Sequence, residues 1–156
     1  MKAVYRALAY VVAAEVIVQA MAMVYGIAGL GKWVDSGGVF DKSVMESDES
    51  PFPEIVGIII HGVNGMIVIP AIALLLVVSS FFARIPGAVK WAGLVLLFVV
   101  LQVALGLLGH GVPALGALHG LNALVLFSAA IYAARRARAV AASPVVEPQE
   151  RIATSG

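Results

Sequence analysis

Four stretches of this chain, approximately Ala7–Leu30, Ile55–Phe82, Val89–Gly109 and Ala114–Ala134, stay apolar for long enough to cross a bilayer. A hydrocarbon core of about 30 Å takes roughly 20 helical residues. In lipid every backbone amide and carbonyl must find its partner inside the protein, so only helices and closed barrels can span. The short alternating strands of a barrel are absent, and helices remain. Composition agrees: 62% of the 156 residues are hydrophobic and 12% charged, more apolar surface than a soluble domain needs. The expected fold is all-α, an integral membrane four-helix bundle over residues 1–138. Residues 139–156 contain Pro, Glu and Ser and read as a disordered tail. Lys2 and Arg6 before an apolar stretch faintly resemble a signal peptide. Glu15 interrupts that run, however, and the apolar sequence continues to Leu30, so it reads as an uncleaved first span.

The connections are unequal. Gly31–Glu54 is a long polar loop, Ala83–Ala88 carries the turn signal Ile85-Pro86-Gly87, and Gly111-Val112-Pro113 is tight. Lys2, Arg6, Arg84, Lys90, Arg135, Arg136, Arg138 and Arg151 fall on one side, against Lys32 and Lys42 on the other. The positive-inside rule therefore expects a multi-pass cell-membrane protein with both termini cytoplasmic and the acidic loop outside. With a net charge of +1 and no massed basic surface, nucleic acid is not an expected partner. The absence of cysteine excludes disulfides, iron–sulfur clusters, thiolate-ligated haem and covalent c-type attachment. Histidine is left as the strong nitrogen ligand, and the chain has three.

Two of them lie inside apolar runs, where an ionisable residue is costly and marks a functional site by default. His61 opens the phrase His61-Gly62-Val63-Asn64-Gly65, and His119 opens His119-Gly120-Leu121-Asn122-Ala123. At 1.5 Å per residue from the outer ends of the second and fourth spans, both lie about 10 Å deep. His119 follows His61 by 58 positions, an offset that also overlays Gly62 on Gly120 and Asn64 on Asn122. In the preceding spans Gln19 overlays Gln102 and Gly26 overlays Gly109. These matches predict two parallel two-helix repeats about an axis along the membrane normal. Such an axis brings the histidines face to face.

On each helix Asn follows His by three residues and a small residue follows by four, Gly65 in one case and Ala123 in the other. Small residues beside an inward histidine let a flat ligand approach the backbone; Gly57 and Gly65 serve equally for plain helix packing. Zinc normally takes three or four ligands, whereas haem needs two axial positions filled. The expected site is therefore one b-type haem held by His61 and His119, with Asn64 and Asn122 either supporting the ligands or binding helices together. His110, at the outer end of the third span, reads as an interfacial histidine. Pro70 predicts a kink in the second. Glu15, in the inner half of the first span, could relay protons, contact a quinol, hydrogen-bond Gln102 or snorkel inward.

The pattern Gln102…His110…Pro113…Leu118-His119-Gly120-Leu121-Asn122-Ala123-Leu124 resembles a half-unit of haem A synthase. It is similar also to small bacterial four-helix membrane proteins of the same pattern. In the synthase family each four-helix half presents a histidine pair to haem from helices placed like the second and fourth here. The run Ile58–Leu76 around His61 looks like that family's first ligand helix. The resemblance implies the fold and ligation by His61 and His119. The family places Glu three before the histidine and Arg after it, where this chain has Ile58 and Gly62, so oxidation of a haem methyl group is not carried over. The expected function is electron transfer or haem handling, with a redox partner or quinol in the bilayer. The alternatives are a cofactor-free helical subunit or a small transporter half, whose polar residues bind helices or partners.

Overall fold

The computed structural model describes residues 1–47 and 49–142, and of 138–142 the backbone alone. It is all-helical, with no strand among the described residues. Four helices are long and apolar enough to cross a membrane: α1 (Lys2–Asp35), α2 (Pro53–Phe82), α3 (Ala88–Gly109) and α4 (Pro113–Ala142). α1 runs about a turn past the expected span at each end and stops where the Ser36 amide caps the Lys32 and Trp33 carbonyls. The loop after it is not wholly irregular. Asp41 caps a one-turn helix, Lys42–Met45, by accepting from the Ser43 and Val44 amides at 2.9 and 3.2 Å. At the other end of the chain, α4 continues to Ala142, so residues 139–142 of the expected tail are helical. The remainder of that tail, 143–156, lies outside the described residues.

Each helix packs against its neighbours in the chain, across a long loop between α1 and α2 and short turns after that, and α1 closes the ring against α4. α2 and α4 therefore face each other across the diagonal. Trp33 packs on Phe52 at the acidic-loop end, and Trp91 on Tyr132 at the basic end, with ring centroids 5.7 and 4.2 Å apart. Aromatic pairs at both ends are what membrane interfaces select. Lys32 and Glu54, 3.3 Å apart, tie the top of α1 to the start of α2.

The packed apolar cluster occupies only the basic half of the bundle. It draws on all four helices: Ala9 of α1, Ile69 and Ala73 of α2, Ala92 of α3, and Leu126 and Ala130 of α4 are all buried in it. In the loop half, glycines hold neighbouring helices together instead. A Cβ on Gly57 would collide with the Ala22 carbonyl oxygen and lie 2.9 Å from the Gly26 nitrogen; one on Gly109 would lie 2.9 Å from the Gly116 Cα. Without a hydrophobic drive between helices in lipid, such small-residue contacts bring backbones close enough to attract.

Just before Pro70, α2 departs from the regular α-helix. Between Asn64 and Val68 the helix widens to a π turn, and the Ile69 amide reaches back five residues to the Asn64 carbonyl. Pro70 has no amide to give the Met66 carbonyl, so the regular ladder is already broken there. The wide turn accommodates one extra residue. Eight positions separate His61 from Ile69, whereas seven separate His119 from Leu126, and the turn lets both pairs share a face.

Candidate functional site

Just beyond the last core layer, toward the acidic loop, the His61 and His119 rings approach across the diagonal. Their centroids are 6.0 Å apart and their planes cross at 57°. Each ring is held from behind by the helix that precedes its own. His61 Nδ1 is 3.1 Å from the Gln19 carbonyl oxygen, and His119 Nδ1 is 2.9 Å from that of Gln102. A carbonyl can only accept, so both Nδ1 atoms carry the hydrogen and donate. In a neutral imidazole this leaves the lone pair on Nε2, the tautomer that ligates metals through Nε2.

Around His119 the polar groups form a closed network whose orientations are fixed by backbone. Asn122 Nδ2 donates to the Phe98 carbonyl at 2.9 Å and to Gln102 Oε1 at 2.6 Å. Gln102 Nε2 donates to the His119 carbonyl at 3.1 Å and also lies 3.1 Å from His119 Nε2. Two backbone oxygens, which only accept, thus determine which end of each amide points where. The helices can close this far because Gly106 faces the ring: a Cβ there would sit 3.1 Å from His119 Cε1 and Nδ1. Gly106 went unnoticed in the sequence reading, although it follows Gln102 by one helical turn, on the same face.

The surroundings of His61 differ. Asn64 Nδ2 donates to Glu15 Oε2 at 2.7 Å, so Glu15 meets neither Gln102 nor the basic end. It reaches the turn next to His61, closer to the site than its position in the inner half of the span suggested. The Gln19 side chain has both polar atoms buried without a hydrogen-bond partner. It lies against Gly65, where a Cβ would come 3.3 Å from Gln19 Nε2. Gly65 therefore makes room for a side chain of the adjacent helix, the packing alternative of the sequence reading. Gly57 likewise serves helix contact. Ala123 is half-buried one turn after His119, and His110 is exposed where α3 ends.

Could these residues hold a haem? Two imidazoles bonded to opposite sides of one metal ion, at about 2 Å per bond, place their ring centroids roughly 6 Å apart. The observed separation is of that size, and the Gln102 amide nitrogen stands 3.1 Å from His119 Nε2, the atom a metal would take. Gly62 and Gly120, next in sequence to the two histidines, have no protein atom within 4 Å of an added Cβ, and Gly120 is exposed on the outside of the bundle. Among the described residues no three His, Cys, Asp or Glu side chains gather to hold a metal ion. No family model, no curated protein and no solved structure matches this chain, so a functional reading rests on these residues.

Proposed function

We propose that the protein is a membrane b-type haem protein with His61 and His119 as axial ligands of one haem per chain, serving electron transfer or haem handling. The observation that carries this is the facing pair: rings 6.0 Å apart, each with Nδ1 bonded to the carbonyl of a corresponding glutamine. Bound there, haem would be held by His61 and His119 and would supply one-electron chemistry. The chain's own residues do the rest. The Gln19 and Gln102 carbonyls set tautomer and ring angle, Gly106 admits the His119 ring, and Asn64 and Asn122 brace the turns that follow the ligands. The exchange partner is a quinol or a one-electron carrier at the acidic-loop face.

Parallel two-helix repeats, α1–α2 and α3–α4, account for the symmetry. An offset of 83 positions overlays Tyr5, Ala9, Val12, Gln19 and Gly26 on Ala88, Ala92, Val95, Gln102 and Gly109. Those equivalent glutamines make the same bond to equivalent histidines. The distribution of Lys and Arg puts both termini in the cytoplasm and the haem in the outer half of the cell membrane. The likeness of the His119 region to haem A synthase points to the same ligands. Ile58 and Gly62, in place of that family's Glu and Arg, supply no group for oxidising the haem.

One observation favours a second reading. The Gln102–His119–Asn122 network is complete in itself, as it would be in a cofactor-free subunit or transporter half that uses polar side chains to bind helices. Visible spectroscopy separates the two. Protein purified in detergent from haem-replete cells shows a Soret band, with sharp alpha and beta bands on reduction. His61→Ala and His119→Ala lose haem while His110→Ala retains it. A colourless wild type rejects the haem reading and leaves the second.

A further inference from the structure

At the basic end of the bundle the outer surface of α1 is hollowed. Ala3, Arg6, Ala7 and Tyr10 line an open groove of about 530 Å³. Their spacing places all four on one face of the helix. The alanine methyl groups leave that face low between the longer side chains of Arg6 and Tyr10. Ala3, Ala7 and Tyr10 are exposed and Arg6 is half-buried, whereas Tyr5, Ala9 and Val12 of the same helix belong to the core. Further along α1, Ala14, Ile17 and Met21 continue the face at helical spacing, and all three are exposed.

Arg6 has no counter-ion among the described residues. The ion pairs there, Lys32 with Glu54 and Lys42 with Glu46, are both at the acidic-loop end. Glu15 is the acid nearest to Arg6 in sequence. At 3.6 residues per turn it falls on the opposite face of α1, where its carboxylate meets Asn64. The other acids of the described residues lie between Asp35 and Glu54. Lys2, Arg84, Lys90, Arg135 and Arg136 share the end of the bundle that holds Arg6, so the field there favours an anion.

We propose that this groove binds one anionic glycerophospholipid. The Arg6 guanidinium takes the phosphate, because its planar fork matches two phosphate oxygens. Tyr10, about 6 Å further into the membrane along the helix, donates its phenolic O–H to an ester carbonyl. An acyl chain then lies along Ala14, Ile17 and Met21. A zwitterionic headgroup brings its own ammonium into a field that is already positive, so the site selects net negative charge. The groove is separate from the histidine pair and serves the protein with or without haem.

The test uses the full chain in neutral detergent, with phosphatidylglycerol and phosphatidylcholine of identical acyl chains as probes. Native mass spectrometry counts the lipid retained. The wild type holds one phosphatidylglycerol in preference to phosphatidylcholine. Arg6→Gln weakens that binding about tenfold, the loss expected of one charge-assisted contact. Ala7→Leu fills the groove and weakens binding with the guanidinium still present; position 7 is exposed, so the bundle keeps its core. Lys90→Gln, on α3 across the diagonal, leaves binding unchanged. Wild-type binding by Arg6→Gln overturns the site. Equal losses in Arg6→Gln and Lys90→Gln overturn it too, since they mark diffuse attraction by the whole basic end. Equal retention of the two lipids does the same. Glycerol phosphate bound as tightly as the lipid removes the acyl track and with it the lipid as occupant. Glu147→Gln combined with Glu150→Gln leaves binding unchanged; a marked gain would make the chain's own acidic tail the occupant and overturn the proposal.

Discussion

The two halves of this bundle are built on different principles. The basic half is a closed apolar core in which alanine, valine and leucine from all four helices meet with almost no exposure, Leu76 and Ala130 among them at 0%. The loop half has no such core; glycine contacts hold α1 to α2 and α3 to α4, and the polar site lies between the pairs. The difference teaches where stability and chemistry can be separated. Polar side chains inside a bundle interrupt apolar packing, so the chain concentrates its packing in the other half.

The sharpest way to break this comparison is to remove a member of each half. Leu76→Ala leaves a cavity in the core and lowers stability by roughly 2–5 kcal/mol. Haem per folded protein stays near the wild-type value. His61→Ala and His119→Ala show the reverse, with haem lost and the bundle folded. Thermal unfolding and haem content, measured together on the monodisperse fraction, check both. Equal losses in both measurements for every variant would show that the halves are one cooperative unit.

A second comparison lies within the loop half. Gly106→Leu puts a side chain where the His119 ring sits, 3.1 Å from where even a Cβ would be; it turns the ring and abolishes haem binding. Gly65→Leu meets the flexible end of Gln19 instead. It lowers stability without selectively lowering haem. If Gly65→Leu were the variant that lost haem, Gly65 would face the cofactor, as the position first suggested.

Smaller still is the effect at the Glu15–Asn64 pair. Asn64→Ala leaves the carboxyl without its donor and destabilises by about 1–3 kcal/mol. Glu15→Gln keeps an oxygen to accept from Asn64 and costs less. The difference between these variants in thermal stability measures the bond.

The smallest expected effect is at Asp41, in the loop between α1 and α2. Hydrogen bonds from the Ser43 hydroxyl and the Val44 and Ser43 amides hold its carboxyl below the usual carboxylate range. Because the folded-state value is depressed, the cap is fully present above the ordinary aspartate range. It is lost as pH falls through the depressed value. Amide exchange at Ser43 and Val44 then accelerates at low pH, with no change at the histidines; Asp41→Asn flattens that dependence.

How much of this was legible beforehand follows from what the bilayer demands. Length and apolarity define a span because the hydrocarbon thickness is fixed, so four helices and their order could be read from composition alone. The histidines were legible because ionisable groups are rare in lipid. Their pairing followed from repeated phrases, as did the match of Gln19 with Gln102. Which face of each helix turns inward was not legible. Lipid is as apolar as a protein core, so spans such as Ile69–Phe82 and Ala88–Gly109 are apolar all round and carry no stripe pointing to the interior.

That ambiguity explains what only the tertiary structure decided. It showed that the glutamine carbonyls grip the imidazoles from behind and that Gly65 accommodates Gln19. It showed Gly106 making room for the His119 ring, and the Asn64–Val68 turn bringing an offset stretch of α2 back into register. Each depends on the rotation of one helix against another, a degree of freedom that hydropathy does not encode. The asymmetry at Nε2 is of the same kind. Gln19 and Gln102 each offer a backbone carbonyl to a histidine, and which side-chain amide caps its histidine depends on whether an asparagine and a backbone carbonyl stand close enough to orient it.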